Sequence, residues 1–429
     1  MSLRRLFSRF VDNRDGSVAP MLALAALPLL GFVGAAIDFS RAASARTAMQ
    51  AALDASALML SKDAQTLTPT NLVQKAGDDF RAMFNRPEAY DIQVVPQFSQ
   101  PAQGNFTLKI TASAKVDTKF ARLLGQSTIA LSASTQVLWG IKKLNLALVL
   151  DNTGSMQQSA KMTNLKTAAH NLLTTLQNAA KTPGDVKVAV VPFATDVNVG
   201  TSNVNAPWID WTDWDAANGS CSNNTYTTKS TCQSHGKIWT GANHNTWNGC
   251  VYDRDQNNDV ANTPTVAGSP ATLFRAHQAT NCPTAMMPLS EDWTALNAKI
   301  DQMTPAGNTN VTIGLAWGFQ LISPVEPFNA PPPAPDLDKV IVLMTDGENT
   351  QNRWSSTAST IDARTSKACD NVKAANIKLY TVRVIDGDLT LLKGCASKPT
   401  MFYDVQQAVQ LTSVFGSIAQ NLANLRITK

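Results

Sequence analysis

The stretch LNLALVLDNTGSM, residues 144–156, decides the fold. From Leu144 to Leu150 it is almost wholly apolar. Asp151, Thr153 and Ser155 then set a carboxylate and two hydroxyls at alternate positions, with Gly154 between the hydroxyls. An apolar run of this kind reads as a strand buried on both faces. Its oxygen-rich end has two readings: part of an oxygen-only metal site, or a strand-to-helix turn with a capping hydroxyl.

The sequence beyond it keeps alternating. Helical periodicity covers residues 160–181 and stops at Pro183-Gly184, and strand 186–194 follows. Helices are expected at 291–303 and 311–322, then a strand at 339–347, a helix around 359–375 and a strand at 377–385. A short strand at 401–405 and a helix at 406–424 close the chain. Apolar strands separated by helices predict an α/β fold, a doubly wound, mostly parallel sheet covered on both faces.

In such a sheet, binding sites lie beyond the carboxyl ends of the strands. Three oxygen-rich loops fall there: DNTGS (151–155), GNTN (307–310) and TDGEN (345–349). Their Asp151, Thr153, Ser155, Thr309 and Asp346 are hard oxygen donors, suited to Mg2+, Mn2+ or Ca2+ rather than to zinc. Each loop alone reads as a helix cap or a turn. Together, in this order and at strand ends, they favour a cation site.

The arrangement resembles the von Willebrand factor A (vWA) domain and its metal-ion-dependent adhesion site, whose pattern is Asp-x-Ser-x-Ser, a distant Thr and a later Asp-Gly. Asp151, Ser155, Thr309 and Asp346 match it, and Thr153 stands where the family has its first serine. Threonine keeps the hydroxyl, adds a methyl and restricts χ1, so an altered metal preference is expected there. The resemblance covers residues 143–425 apart from an insertion. It implies that the hydroxyls bind the metal directly and the aspartates bind it directly or through water. One open position would accept a partner's carboxylate. Mg2+ is the expected ion, with Mn2+ or Ca2+ as alternatives.

The insertion, about residues 195–288, is rich in Asn, Thr and Trp and holds Cys221, Cys232, Cys250 and Cys282. These cysteines lie outside any CxxC pattern. With Cys369 and Cys395 they make six, an even number that suits disulfides in an oxidising compartment. Cys369 and Cys395 form the natural local pair, and pairing within the insertion stays open among three connectivities. A disulfide-stapled subdomain filled by Trp208, Trp211, Trp214, Trp239 and Trp247 is expected. Two metal readings compete with this. Asp253, Asp255, Asn257 and Asp259 alternate like the start of a calcium loop, but Asn258 and Pro264 replace its Gly and Glu. Cys221, Cys232, His235, His244 and Cys250 match no zinc-finger spacing.

A net charge of +4 over 429 residues is too small to argue for nucleic acid. The N-terminus is different. Residues 1–15 carry Arg4, Arg5, Arg9 and Arg14, and residues 16–37 carry no charge. As a helix the uncharged stretch would span about 33 Å, one hydrocarbon core. It predicts an uncleaved transmembrane anchor with the 1–15 tail in the cytoplasm and the rest of the chain outside the inner membrane. Beyond it, Phe39, Ala42, Met49, Leu53, Ala57 and Leu60 recur as one apolar helical face, and strands are expected at 90–98, 105–116 and 127–139. Residues 38–140 thus read as a small α+β, pilin-like module, and 141–429 as the vWA domain.

Taken whole, the chain resembles TadG-like proteins of bacterial tight-adherence (Flp-type) pilus assembly, with a TadE/TadG-type N-terminal segment. Pilin-like members of such systems are cut after a glycine that has Glu five positions beyond; here Met21 is fifth after Gly16. The segment is therefore expected to stay as an anchor. The resemblance implies a non-enzymatic, periplasmic partner-binding protein of the pilus-assembly envelope. A secreted or surface-exposed adhesin is the alternative. A metal-dependent hydrolase using Glu348 is a weaker one, since no nucleophile elbow or Walker-type loop is present and His170 lies mid-helix.

Overall fold

The computed structural model describes residues 18–63, 67–102, 105–180, 182–425 and 427–428. The basic tail and the start of the uncharged stretch lie outside them. The chain divides into two compact units at Gly140/Ile141.

In the first unit, helix α1 (Val18–Asp63) runs on through Pro28. Its first part leaves Leu22, Leu29, Leu30 and Phe32 63–74% exposed. By length and composition α1 can cross a membrane. Its second part buries Ala42, Ala45, Met49, Leu53, Ala57 and Leu60 against helix α2 (Pro69–Met83) and an antiparallel sheet of β1 (Ala89–Ala102), β2 (Asn105–Asp117) and β3 (Thr128–Ile141). Two details depart from the sequence expectation. Helix α2, capped by Thr68, is additional. Phe39 points outward because Asp38 takes the inward position, where its carboxylate accepts the N–H groups of Lys119, Phe120 and Ala121.

The second unit contains, in chain order, β4 (Lys143–Asp151), α3 (Lys161–Ala179), β5 (Val186–Phe193), β6 (Val197–Asn198), β7 (Ile209–Asp210), α4 (Thr212–Ala217), β8 (Ser220–Cys221), α5 (Lys229–Ser234), β9 (Trp239–Thr240), β10 (Cys250–Tyr252), β11 (Phe274–Ala276) and β12 (Met287–Ser290). Then come α6 (Trp293–Asp301), α7 (Val311–Ile322), β13 (Leu337–Thr345), α8 (Ala358–Ala374), β14 (Lys378–Val384), α9 (Leu389–Cys395), β15 (Phe402–Val405) and α10 (Leu411–Leu425). The sheet order is β15-β14-β13-β4-β5-β6-β10-β11-β7, with β12 antiparallel beside β5. Strands β15, β14, β13, β4 and β5 are parallel.

Alternation along β4 explains the two layers. Leu144, Leu146, Leu148 and Leu150 join the core under α3, α6 and α10, while Ala147 and Val149 join the core under α7, α8 and α9. Both faces are apolar, which is why the sequence reads as a continuous run. Gly318 of α7 lets that helix lie close to β4: a Cβ there would come within 2.5 Å of Val149. The chain proceeds outward from β4 to β5 and later returns to the other side of β4 with β13. The strand order therefore reverses between β4 and β13, the position where open α/β sheets open a crevice.

The insertion does not form a separate subdomain. Strands β6, β10, β11 and β7 extend the main sheet, and Trp214 and Trp247 belong to the same core as Trp317 and Phe319 of α7. Trp208 packs edge-on to Trp317 at 6.2 Å. The segment lacks periodicity because its strands are only two or three residues long. The small ribbon β8–β9 stands apart, beside the Cys221–Cys232 disulfide.

Candidate metal centre

Asp151 is the last residue of β4 and is fully buried. Its Oδ1 accepts the backbone N–H of Thr153 at 2.8 Å and the Thr153 hydroxyl at 2.5 Å. Its Oδ2 accepts the Thr345 hydroxyl at 2.6 Å. The chain then turns through a short 3-10 segment (Gly154–Ala160), with Ser159 and Ala160 left-handed, before α3 begins. This places Ser155 Oγ 3.0 Å from Thr153 Oγ1 and 2.7 Å from Asp346 Oδ1, at the end of β13.

The second loop closes over the first. Gly154 N–H donates to Gly307 O at 3.0 Å, and Ala306 N–H to Asn152 O at 2.9 Å. Gly307 is left-handed (φ 84°), a conformation that glycine adopts without strain. Asn310 caps α7, its side chain accepting Ile313 N–H. Thr309, just before that cap, is held by bonds from Thr350 and Gln351 N–H to its carbonyl. Thr309 Oγ1 and Ser155 Oγ converge on Gly347, where a Cβ would lie 3.5 and 3.6 Å from them. The five oxygen-bearing side chains expected from the three loops are thus gathered at the crevice between β4 and β13.

Two residues join them that the sequence did not single out. Lys161, at the start of α3, is 2% exposed, and its ammonium donates to Asp346 Oδ2 at 2.9 Å and to Asp386 at 3.3 Å. Asp386 follows β14, where Gly387 (φ 103°) packs on the backbone of Gly347. Burial opposes the Lys161 charge, but the bonds to Asp346 and Asp386 outweigh it and raise the ammonium above its ordinary value. Burial pushes Asp151 up to about 6, helped by the Asp346 charge and opposed by the Thr153 and Thr345 bonds. Two buried carboxylates, Asp151 and Asp346, and the exposed Asp386 therefore share one ammonium, which leaves negative charge that a cation would offset.

The hydroxyls carry the same message. Thr153 Oγ1 and Ser155 Oγ make three oxygen contacts, to Asp151, to Asp346 and to each other, at 2.5, 2.7 and 3.0 Å. They own two protons, so one contact has none. The charge-assisted bonds to the carboxylates claim both. The Thr153 and Ser155 oxygens then face each other at 3.0 Å, a contact that a bridging cation would relieve. Octahedral Mg2+, with ligands at about 2.0–2.1 Å, sets adjacent oxygens about 3 Å apart. The donor set fits a hard divalent cation.

The competing sites do not assemble. The calcium-loop acids are taken by other groups: Asp253 by Asn310 and Arg353, Asp255 by Arg275 and Arg353, Asp259 by Arg364. In place of the expected calcium loop at 253–259, the three acids tie this segment to neighbouring elements. The zinc reading fails because Cys221 pairs with Cys232 and Cys250 with Cys282. Cys369 pairs with Cys395. His235 and His244 stack on Tyr226 and Trp211. Among the described residues, no three His, Cys, Asp or Glu side chains converge as a metal cluster. His170 bonds Asn297 and Asp301 of α6, and Glu348 is exposed.

Two families match parts of the chain. The family described as "Flp pilus-assembly TadE/G-like" matches residues 16–59, and "von Willebrand factor type A domain" matches residues 265–417, a span that contains Thr309 and Asp346. No curated protein matches the chain. Among solved structures, the pilus adhesin SpaC from Lactobacillus rhamnosus GG is similar at 13% identity and TM-score 0.38, over 80% of this chain and 36% of SpaC. The vWF domain of the type V pili tip protein Mfa5 from Porphyromonas gingivalis is similar at 12% identity and TM-score 0.39, over 67% of this chain and 97% of that domain. Proximal thread matrix protein 1 from the mussel byssus, whose structure has a zinc-occupied MIDAS motif, is similar at 11% identity and TM-score 0.36, over 66% of this chain and 48% of that one. The chain thus spans about a third of the length of SpaC. The chain joins a TadE/G-like segment to a von Willebrand factor type A domain.

Proposed function

We propose that this chain is an envelope protein of tight-adherence (Flp-type) pilus assembly, anchored in the inner membrane by residues 16–37. Its vWA domain, on the periplasmic side, would bind an acidic side chain of another pilus-assembly or envelope protein through a divalent cation. Asp151, Thr153, Ser155, Thr309 and Asp346 would hold that cation, with Mg2+ the expected ion and Mn2+ or Ca2+ the alternatives. The observation that carries the reading is the convergence of the Thr153 and Ser155 hydroxyls, 3.0 Å apart, between two buried carboxylates. When bound, the ion supplies an electrophilic position for a partner's carboxylate. The chain's own residues position the hydroxyls, exclude solvent from Asp151 and limit the site's charge through Lys161. The reading is non-enzymatic.

The test uses the full chain in membranes and in purified form. Asp151→Ala combined with Asp346→Ala should abolish Mg2+ binding by titration calorimetry and the chelator-sensitive part of a crosslinking pull-down. Unchanged ion binding and pull-down would sink the proposal. Cell fractionation tests the anchor: release into the medium would favour an adhesin instead.

A further inference from the structure

The pole of the sheet opposite the cation site holds a second feature. Near the amino ends of β4, β5 and β13 lies a cavity of about 300 Å3 lined by Lys143, Asn145, Lys187, Pro331, Pro332 and Asp336. Asn145 is 3% exposed, and its Nδ2 is buried without a hydrogen-bond partner. A buried amide left unsatisfied is a standing cost that a ligand oxygen would remove. Asn145 pairs in register with Lys339 of β13, whose ammonium donates to the carbonyls of Ile322 and Pro331 and so fixes the proline rim.

The charge around this cavity is unbalanced. Lys142 and Lys378 are both near Asp338, but among the described residues Lys143, Lys187 and Lys339 form no ion pair. Asp336 lines the cavity, with its carbonyl accepting Lys143 N–H, and the Asp185 carboxylate is engaged by Thr182. Two lysines, Lys143 and Lys187, therefore line the cavity against one aspartate, Asp336, with one orphaned amide and an apolar prolyl wall beside them.

We propose that this cavity is a binding site for a carboxylate on an apolar stem, presented by an acidic segment of a partner protein. The ammonium groups of Lys143 and Lys187 would meet the carboxylate, the Asn145 amide would meet one ligand oxygen, and Pro331 and Pro332 would cover the methylenes. A phosphate is the poorer fit: the lining offers neither an arginine fork nor a nest of backbone N–H groups. The cavity lies one strand length, about 25 Å, from Asp151, so the domain could engage acidic partners at both poles. Recognition here needs no metal, and it stands or falls independently of the cation site.

The experiment uses the full chain in nanodiscs with EDTA present, so that no divalent ion contributes. The probe is a fluorescein-labelled tetraglutamate amide, followed by anisotropy, with the tetraglutamine analogue as control. The tetraglutamate should bind saturably and the tetraglutamine should not. Lys143→Gln with Lys187→Gln should weaken binding about tenfold, with melting unchanged. The proposal is overturned if the two peptides bind alike or if the double lysine variant keeps wild-type affinity. Displacement of the probe by inorganic phosphate at lower concentration than by free glutamate would also overturn it.

Discussion

At the scale of single residues, the proposed cation site rests on a balance of two buried carboxylates, one ammonium and two hydroxyl protons. Thr153→Val keeps the volume and removes the hydroxyl, and it should weaken Mg2+ binding by about tenfold or more, whereas Thr153→Ser should retain it. Titration calorimetry with Mg2+ and Mn2+ checks both variants, and Thr153→Ser also tests whether the extra methyl sets metal preference. Lys161→Met leaves Asp346 buried without its cation. The expected loss is about 3–5 kcal/mol in EDTA, partly recovered by Mg2+, so the melting-temperature gap to wild type should narrow when the ion is added. A gap that Mg2+ leaves untouched would separate Lys161 from the site. Asp151, Thr309 and Asp346 were legible because each stands where a strand ends or a helix begins. Lys161 was not: its burial depends on Asp346, 185 positions away.

At the scale of elements, the insertion is coupled to the loop that carries Thr309. Asp253 follows β10, is 2% exposed, and accepts both bonds from the Asn310 amide, at 3.1 and 2.9 Å, next to Thr309. Burial pushes its carboxyl up to about 7, opposed by Arg353 N–H and Asn310 and assisted by the charges of Asp259 and Asp196. A raised carboxyl binds its proton more readily in the folded state. Its stabilising contribution is therefore full below the reference value of 3.8 and is lost as pH rises through about 7. The melting temperature should rise on acidification from pH 7.5 toward pH 5, and Asp253→Asn should remove part of that slope. An unchanged slope would remove Asp253 as its source. The Cys369–Cys395 bridge works on another pair of elements, tying α8 to α9 across a sequence separation of 26. Replacing both with serine should cost about 2–4 kcal/mol, read as a lower melting temperature. Helices and long strands were legible from their periods, whereas the short strands of the insertion repeat too few residues to show one.

At the scale of the whole molecule, one chain carries two different environments. Leu22, Leu29, Leu30 and Phe32 are left exposed along the first part of α1, while the second part buries small residues against a sheet. Exposed leucines in a row have a physical use in a bilayer and little elsewhere. Leu29→Arg with Leu30→Arg should shift the protein from the membrane fraction to the soluble fraction, scored by fractionation and carbonate extraction. Retention in the membrane would point to an anchor other than α1. In the vWA unit the oxygen-rich crevice proposed to hold a cation lies at one pole and the proline-walled cavity at the other, both built on β4.

The sequence by itself determined what consecutive residues can encode. It set the apolar strands and amphipathic helices, the uncharged N-terminal stretch, and the oxygen donors at three strand or helix ends. Sheet order, the merging of the insertion with the main core and the pairing of the four insertion cysteines were decided only by the tertiary structure. So were the capture of Asp346 by Lys161 and the isolation of Asn145 among lysines. Each depends on which distant segments pack together, and a short stretch of sequence fixes a local conformation but not its neighbours in space.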